Sequence, residues 1–367
     1  MIIAISIAIL FIFFIYSFEV FRNFTTAKLI STFGGALVFY LLLYNVTYNS
    51  DWDIYSTMFN NSASSNDFLF NFISKLFSAR RLEYSSVYKF HIFLMGIGFI
   101  YFTSRFSYSS VFAVIITYLL FQLIPLSNQI RYYVAFSFYL ISVYNLIVAK
   151  NVFGFTIFEV LSLLSHSGIL LMYPFIYFYY ITKSTHYFQK LISYGLIFAG
   201  LIFIFYLVGL VFLNHFSSYF EQDGLSSFKG GVFSNAIWLL WSLVIYFKNK
   251  RLSKSYADII NYDIKYQFLY KLSLYSVIFY PVSIIVQIFS HRYIVASLIV
   301  WVTFILYSLK FENSLFKRLN IISIFLLLNL VTFIYMYFLP AYILGLSGND
   351  IAVELFMANP VFFFLFI

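Results

Sequence analysis

Apolar runs almost free of charge recur along nearly the whole of this chain, and they leave few folds open to it. Many approach or exceed the roughly 18 residues at which a run ceases to look like a core strand or a soluble helix and can cross a bilayer. Hydrocarbon offers the backbone no hydrogen-bond partner, so spanning segments are confined to helices and closed barrels. Barrel strands would be about ten residues long with strict alternation, and no segment reads that way. The chain is therefore expected to be an all-α polytopic integral membrane protein, a single membrane domain over residues 1–367. Only 10% of its residues are charged, against 63% hydrophobic. Each ionisable group near hydrocarbon thus needs a partner or a task, because leaving it alone costs several kcal/mol.

Reading the runs against the charges predicts helices near 2–18, 29–44, 87–104, 106–126, 132–149, 188–213, 232–247, 266–289, 293–309 and 319–339. Residues 1–18 lack a basic leader and a small-residue cleavage site, so they read as a retained helix. Between Lys150 and Lys183 an apolar stretch is interrupted by Ser165-His166-Ser167-Gly168, with Pro174 beyond. This is either a broken helix hairpin over 151–182 or one long tilted helix. In the hairpin, two arms of about 14 residues reach only ~21 Å each, short of a ~30 Å core. With the apolar tail 351–367, which re-enters or crosses, the expected total is about 11–13 transmembrane helices.

Orientation follows from the bias of Lys and Arg toward the cytoplasm. The loop 248–265 carries Lys248, Lys250, Arg251, Lys254 and Lys265 and is expected to be cytoplasmic. That choice places about 14 basic residues inside and about seven outside. It puts the loops 45–86 and 214–231 and the turns 127–131 and 290–292 on the outer side.

Other features exclude function classes. The net charge of +9 sits in loops, so it marks topology and not a nucleic-acid surface. With no Cys there is no disulfide or thiolate chemistry and most zinc sites are ruled out. There is no Walker loop and no GxGxxG. The 51 Phe and 34 Tyr read as compositional bias rather than a cofactor pocket.

A few polar groups could carry chemistry. Asp51 and Asp53 flank Trp52, a pair suited to general-base or cation work and equally to a solvated interfacial loop. Asp67 and Glu83 are the only nearby acids, so a metal shell is weakly supported. Gln129-Ile130-Arg131 sits at an outer turn, where Arg131 is either a snorkelling anchor or a bidentate phosphate ligand. His166 is the one histidine deep in an apolar stretch, either a satisfied structural group or a proton carrier or donor. His291-Arg292-Tyr293 adds a second arginine, and two guanidiniums can neutralise a diphosphate that one cannot. With the orientation above, all of these lie on the outer face.

The succession Asp51-Trp52-Asp53-Ile54-Tyr55, Asn66-Asp67-Phe68-Leu69-Phe70, Gln129-Ile130-Arg131-Tyr132-Tyr133-Val134-Ala135, Ser165-His166-Ser167 and His291-Arg292-Tyr293 resembles the EpsG-like branch of the Wzy-type bacterial polysaccharide polymerases. Ser50 stands where a Gly commonly precedes the first Asp, and the segment near Asp67 lacks a Glu found in many relatives. The resemblance implies a fold related to the C-type glycosyltransferases (GT-C-like), in a bacterial cytoplasmic membrane. It also implies transfer of a glycan from undecaprenyl diphosphate to the non-reducing sugar of a new lipid-linked repeat unit outside the cytoplasm. No cofactor and no metal is expected, and a chain-length co-polymerase is an expected partner. On this basis the catalytic candidates are Arg131, His166, Asp53 and Asp51. Diphosphate and sugar contacts are expected from Arg131, Arg292, Gln129, His291, Trp52 and Tyr132. The rival readings are a flippase or other transporter for the same lipid-linked oligosaccharide, and an O-antigen ligase-type glycosyltransferase.

Overall fold

A computed structural model describes residues 25–44, 51–61, 67–106, 126–207 and 228–337, with 111, 114, 115, 117 and 118 between them. The expected helix at 2–18, most of that at 106–126, the loop 214–231 as far as residue 227 and the tail 351–367 lie outside the described residues. The chain is an all-α polytopic membrane protein. Among the described residues six helices are long and apolar enough to cross a membrane: Tyr84–Ser104, Ile130–Ala149, Ser184–Ile204, Phe228–Tyr262, Arg292–Phe311 and Leu315–Thr332. The chain divides into two compact units, residues 1–171 with 319–367, and residues 172–318.

In the first unit the described helices are α1 (Thr25–Leu43), α2 (Trp52–Asn60), α3 (Phe68–Ser78), α4 (Tyr84–Ser104), α5 (Ile130–Tyr144) and α6 (Val152–Ser165). The segment 45–86, expected as a loop, carries two short amphipathic helices. In α2, Tyr55 and Phe59 are buried one turn apart while Asp53 and Ile54 are exposed. In α3, Phe70 and Ile73 are buried while Phe68 and Phe72 are exposed.

Helix α5 is the centre of this unit, with every residue except Arg131 buried. A helix apolar all round has no wet face to offer and must be enclosed. Helices α4 and α6 pack against it, and Ser162 Oγ of α6 donates to Ala135 O at 2.8 Å. Between helices in lipid, close approach depends on small residues. A Cβ at Gly98 would lie 2.7 Å from Ser137 Cβ of α5, and one at Gly96 would lie 2.8 Å from Phe39 Cδ1 of α1. Gly98→Val should therefore force α4 off α5, at a cost of about 1–3 kcal/mol. The readout is the unfolding temperature of the purified protein in detergent, and an unchanged value would mean the contact relaxes freely.

The chain reverses between α5 and α6 through a π turn, Asn145–Ala149. Lys150 takes the left-handed conformation, φ 56°, and Asn151 caps α6 by accepting from Gly154 N–H at 3.0 Å. The reversal brings the start of α5 and the end of α6 to the same end of the unit. Helix α6 stops where His166 turns extended (φ −165°, ψ 116°). The interruption read from Ser165-His166-Ser167-Gly168 is thus present, followed by a 3-10 segment at Ser167–Met172.

The second unit contains α7 (Pro174–Ile181), α8 (Tyr187–Leu207), α9 (Phe228–Tyr262), α10 (Ile264–Tyr275) and α11 (Leu298–Ser308), and α12 (Leu315–Tyr337) begins within it. The basic segment 248–265 is helical as far as Tyr262, apart from a kink at Tyr256, and is not an irregular loop. Asp263 then caps α10 by accepting from Tyr266 N–H at 2.8 Å, and it pairs with Lys310 at 2.6 Å. Lys248 pairs with Glu312 at 2.7 Å.

The single helix expected at 266–289 is not observed. After Tyr275 the chain passes through a 3-10 turn, Ser276–Phe279, and a short helical turn, Tyr280–Ser283. It turns at 284–286 before resuming at Gln287. Pro281 has no N–H to extend the ladder. Two glycines press against the segment: a Cβ at Gly195 would meet Ile278 O at 2.7 Å, and one at Gly231 would overlap Ile284 O. Consequently His291-Arg292 is not a turn between two helices. It lies in a π turn, Ser290–Ile294, within a helical run that continues to Phe311.

Candidate functional site

Four segments of the first unit meet around one buried carboxylate. Asp67 stands at the head of α3 in an extended conformation, and its side chain does not cap that helix. It is free instead to receive Arg131 Nη1 at 2.7 Å and His166 Nδ1 at 3.1 and 3.2 Å on its two oxygens. It also accepts the backbone N–H of Ser167. The three side chains are 4% (Asp67), 8% (His166) and 18% (Arg131) exposed, so the cluster is largely withdrawn from water. Burial disfavours the Asp67 carboxylate. The hydrogen bond and charge of His166, the Arg131 charge and the Ser167 N–H outweigh it and hold the carboxyl below its usual range.

The guanidinium is fixed on its other sides by α2 and α3. Arg131 Cζ lies 4.7 Å from the Tyr55 ring centroid and 5.5 Å from that of Phe70. Its Nη2 reaches Tyr55 Oη at 3.5 Å, and Tyr55 Oη reaches Asp51 Oδ2 at 3.5 Å. Asp51 and Tyr55 are i and i+4, on one face of the α2 turn. Asp53, two residues on, is exposed on another face and does not join the cluster. Tyr132 closes one side of His166, ring edge to face at 5.7 Å. Trp52 packs edge-on against Tyr84 and Tyr88, at 4.9 and 5.1 Å.

Among the candidates read from sequence, Arg131, His166, Tyr132 and Asp51 are thus brought together. Trp52 flanks them, and Gln129 stands at the start of α5. Gln129 Oε1 and Arg131 Nε are buried with no hydrogen-bond partner among the described residues. A buried polar atom left so costs about 1–3 kcal/mol, and a ligand that met both would relieve it. Arg292 lies in the π turn Ser290–Ile294 of the other unit, and the side chain of His291 lies outside those described. Asp67 and Tyr55 are the two members that sequence reasoning did not place in the site. The signal for Asp67 was available, because it directly precedes an apolar run, as Arg131 and His166 adjoin theirs.

Chemically, the cluster is an acid–imidazole pair tied to an arginine. With Nδ1–H given to Asp67, a neutral His166 carries its lone pair on Nε2 and is oriented as a base. Counting Asp51 and Asp67 against Arg131, the cluster is net −1 with neutral His166 and zero with imidazolium. Arg131 is therefore a paired cation rather than a bare one. Among the described residues, no group of three or more His, Asp or Glu is arranged to hold a metal ion.

A model of the EpsG family matches residues 28–344, a span that takes in every segment of this cluster. No curated protein and no solved structure matches the chain.

Proposed function

The chain belongs to the EpsG family, and from that premise we propose that it polymerises lipid-linked oligosaccharide repeat units into O-antigen, capsule or exopolysaccharide. Membership supports a polysaccharide polymerase-like role in general. The finer reading is a multi-pass enzyme of a bacterial cytoplasmic membrane, with its site on the periplasmic or extracellular side. The growing glycan moves from undecaprenyl diphosphate to the non-reducing-end sugar of a new lipid-linked unit. The observation that carries this reading is the buried Asp67–Arg131–His166 cluster, built where α2, α3, α5 and the end of α6 meet.

In this reading the acceptor hydroxyl oxygen bonds to the anomeric carbon of the donor. The bond from that carbon to the diphosphate oxygen breaks, and undecaprenyl diphosphate leaves with the electron pair. His166 Nε2 takes the hydroxyl proton, with Asp67 stabilising the imidazolium through Nδ1–H. Arg131 and Gln129 contact the polar head of the substrate. Asp51, linked through Tyr55 to Arg131, contributes to sugar binding. Tyr132 and Trp52 line the sugar path. The chemistry is proposed to need no metal.

The test is the size distribution of surface glycan in a deletion strain carrying wild type or Arg131→Ala at matched protein level. The expected result is single repeat units in the deletion and a ladder restored by wild type only. If the deletion stops even single units from reaching the surface, the protein acts before polymerisation, as a flippase would.

A further inference from the structure

The paired state of Arg131 leaves a question of charge. A lipid-linked diphosphate carries two negative charges at its head, and the cluster around Asp67 has no net positive charge to meet them. The same unit holds a second feature that does. A groove of about 750 Å³ runs along α4 from Ser86 to Ile100, walled by α1 from Phe33 to Tyr40 and by Phe77 of α3. The fourteen helical steps from Ser86 to Ile100 make it about 21 Å long. Its walls are mostly apolar, including Phe33, Phe39, Phe90 and Phe93, and Gly96 lets the Phe39 ring settle against α4 to form the floor.

One end differs from the rest. Ser86 and Lys89 line it, and the turn between α3 and α4 places exposed Arg80 and Arg81 a few residues from Phe77. Lys89 Nζ lies 5.6 Å from the Tyr44 ring centroid and is in no ion pair among the described residues. Glu83 is the one carboxylate between residues 68 and 106. Lys89, Arg80 and Arg81 outnumber Glu83 and leave this end net positive, which suits the two negative charges of a diphosphate diester. A phospholipid phosphodiester carries only one.

This end also stands level with the cluster. Tyr84 and Tyr88 of α4 contact Trp52, and His91 packs on Phe70, the ring beneath Arg131. One stretch of α4 therefore presents one face to the cluster and another, carrying Ser86 and Lys89, to the groove. In the orientation read from sequence, 80–86 lies outside the cytoplasm, where basic residues are normally sparse.

We propose that this groove seats the polyprenyl chain of a lipid-linked diphosphate, with the diphosphate held at the Ser86–Lys89 end. The proposal rests on the polymerase reading for its substrate and goes beyond it in fixing where the lipid lies. Chain and head are recognised by different walls of one helix, so the reducing-end sugar emerges on the side of α4 that faces Asp67.

The test places p-benzoylphenylalanine at Phe93, half-exposed in the groove, in the full-length protein in its native membrane. After irradiation the adduct is identified by mass. The expected adduct is a polyprenyl diphosphate species, displaced by added farnesyl diphosphate and not by phosphatidylglycerol. The same probe at Phe203, exposed on α8, should capture phospholipid only. Lys89→Gln should raise the farnesyl diphosphate needed for displacement about tenfold, and Ala36→Trp, which fills the groove, should remove the adduct. Phospholipid adducts alone at Phe93, or no displacement, would overturn the proposal even if the glycan ladder depends on Arg131. A prenyl adduct in a strain whose ladder does not depend on this protein would keep the groove and remove the polymerase reading.

Discussion

Arg131→Lys is expected to erase the glycan ladder almost as completely as Arg131→Ala, although lysine keeps the charge. The guanidinium does several things at once. One Nη holds Asp67 at 2.7 Å, the other points to Tyr55 Oη, and the plane lies over two rings. An ammonium is a compact donor on a flexible stem and cannot hold that fork geometry. A loss of about a hundredfold or more is expected, as for removal of one preorganised donor to developing charge.

Stability should separate the two variants. Ala strands the Asp67 carboxylate, 4% exposed, and removing one partner of a buried pair costs about 3–5 kcal/mol. Lys retains a counter-charge and should lose less. The measurement is ladder length at matched protein level together with unfolding temperature in detergent. Full activity in Arg131→Lys would show that charge alone suffices and that the fork has no part in the reaction.

Asp67→Asn is the second large effect. The amide removes the counter-charge of Arg131, so a comparable cost of about 3–5 kcal/mol is expected. Activity should fall about 10²-fold or more, because nothing then stabilises the imidazolium that forms when His166 takes a proton. The variant also carries a pH signature with a definite sign. The folded pKa of Asp67 is depressed, so its contribution is fully present above the unfolded value, near pH 4, and is lost as pH falls through the lower folded value. Below about pH 4, wild type should therefore lose stability more steeply than Asp67→Asn. Parallel slopes between about pH 4 and 2 would mean that this carboxylate does not titrate with folding.

The helical membrane class was legible because it follows from run length alone, and the break at His166 because Ser165-His166-Ser167-Gly168 interrupts an apolar stretch. What period and spacing could not reveal was which faces meet. Asp51 and Asp53 looked equivalent as a pair two residues apart. On α2 they diverge, so Asp51 shares a turn face with Tyr55 while Asp53 points elsewhere. Asp67 was read only as a weak metal-shell candidate beside Glu83, because its partners lie far away along the chain. The span at 266–289 failed for a local reason, since hydropathy does not register Pro281 or the close approach of Gly195 and Gly231 to the backbone at Ile278 and Ile284.

The order in which the cluster's members are made has a consequence for biogenesis. Translation delivers Asp67 first, Arg131 next and His166 last, at the end of the helix that folds back along α5. When the ribosome presents Arg131 to the membrane, its counter-charge has already been delivered to the nascent chain. The imidazole joins only once α6 has been laid down. A chain stalled between Arg131 and His166 therefore carries the ion pair without the imidazole that completes the cluster.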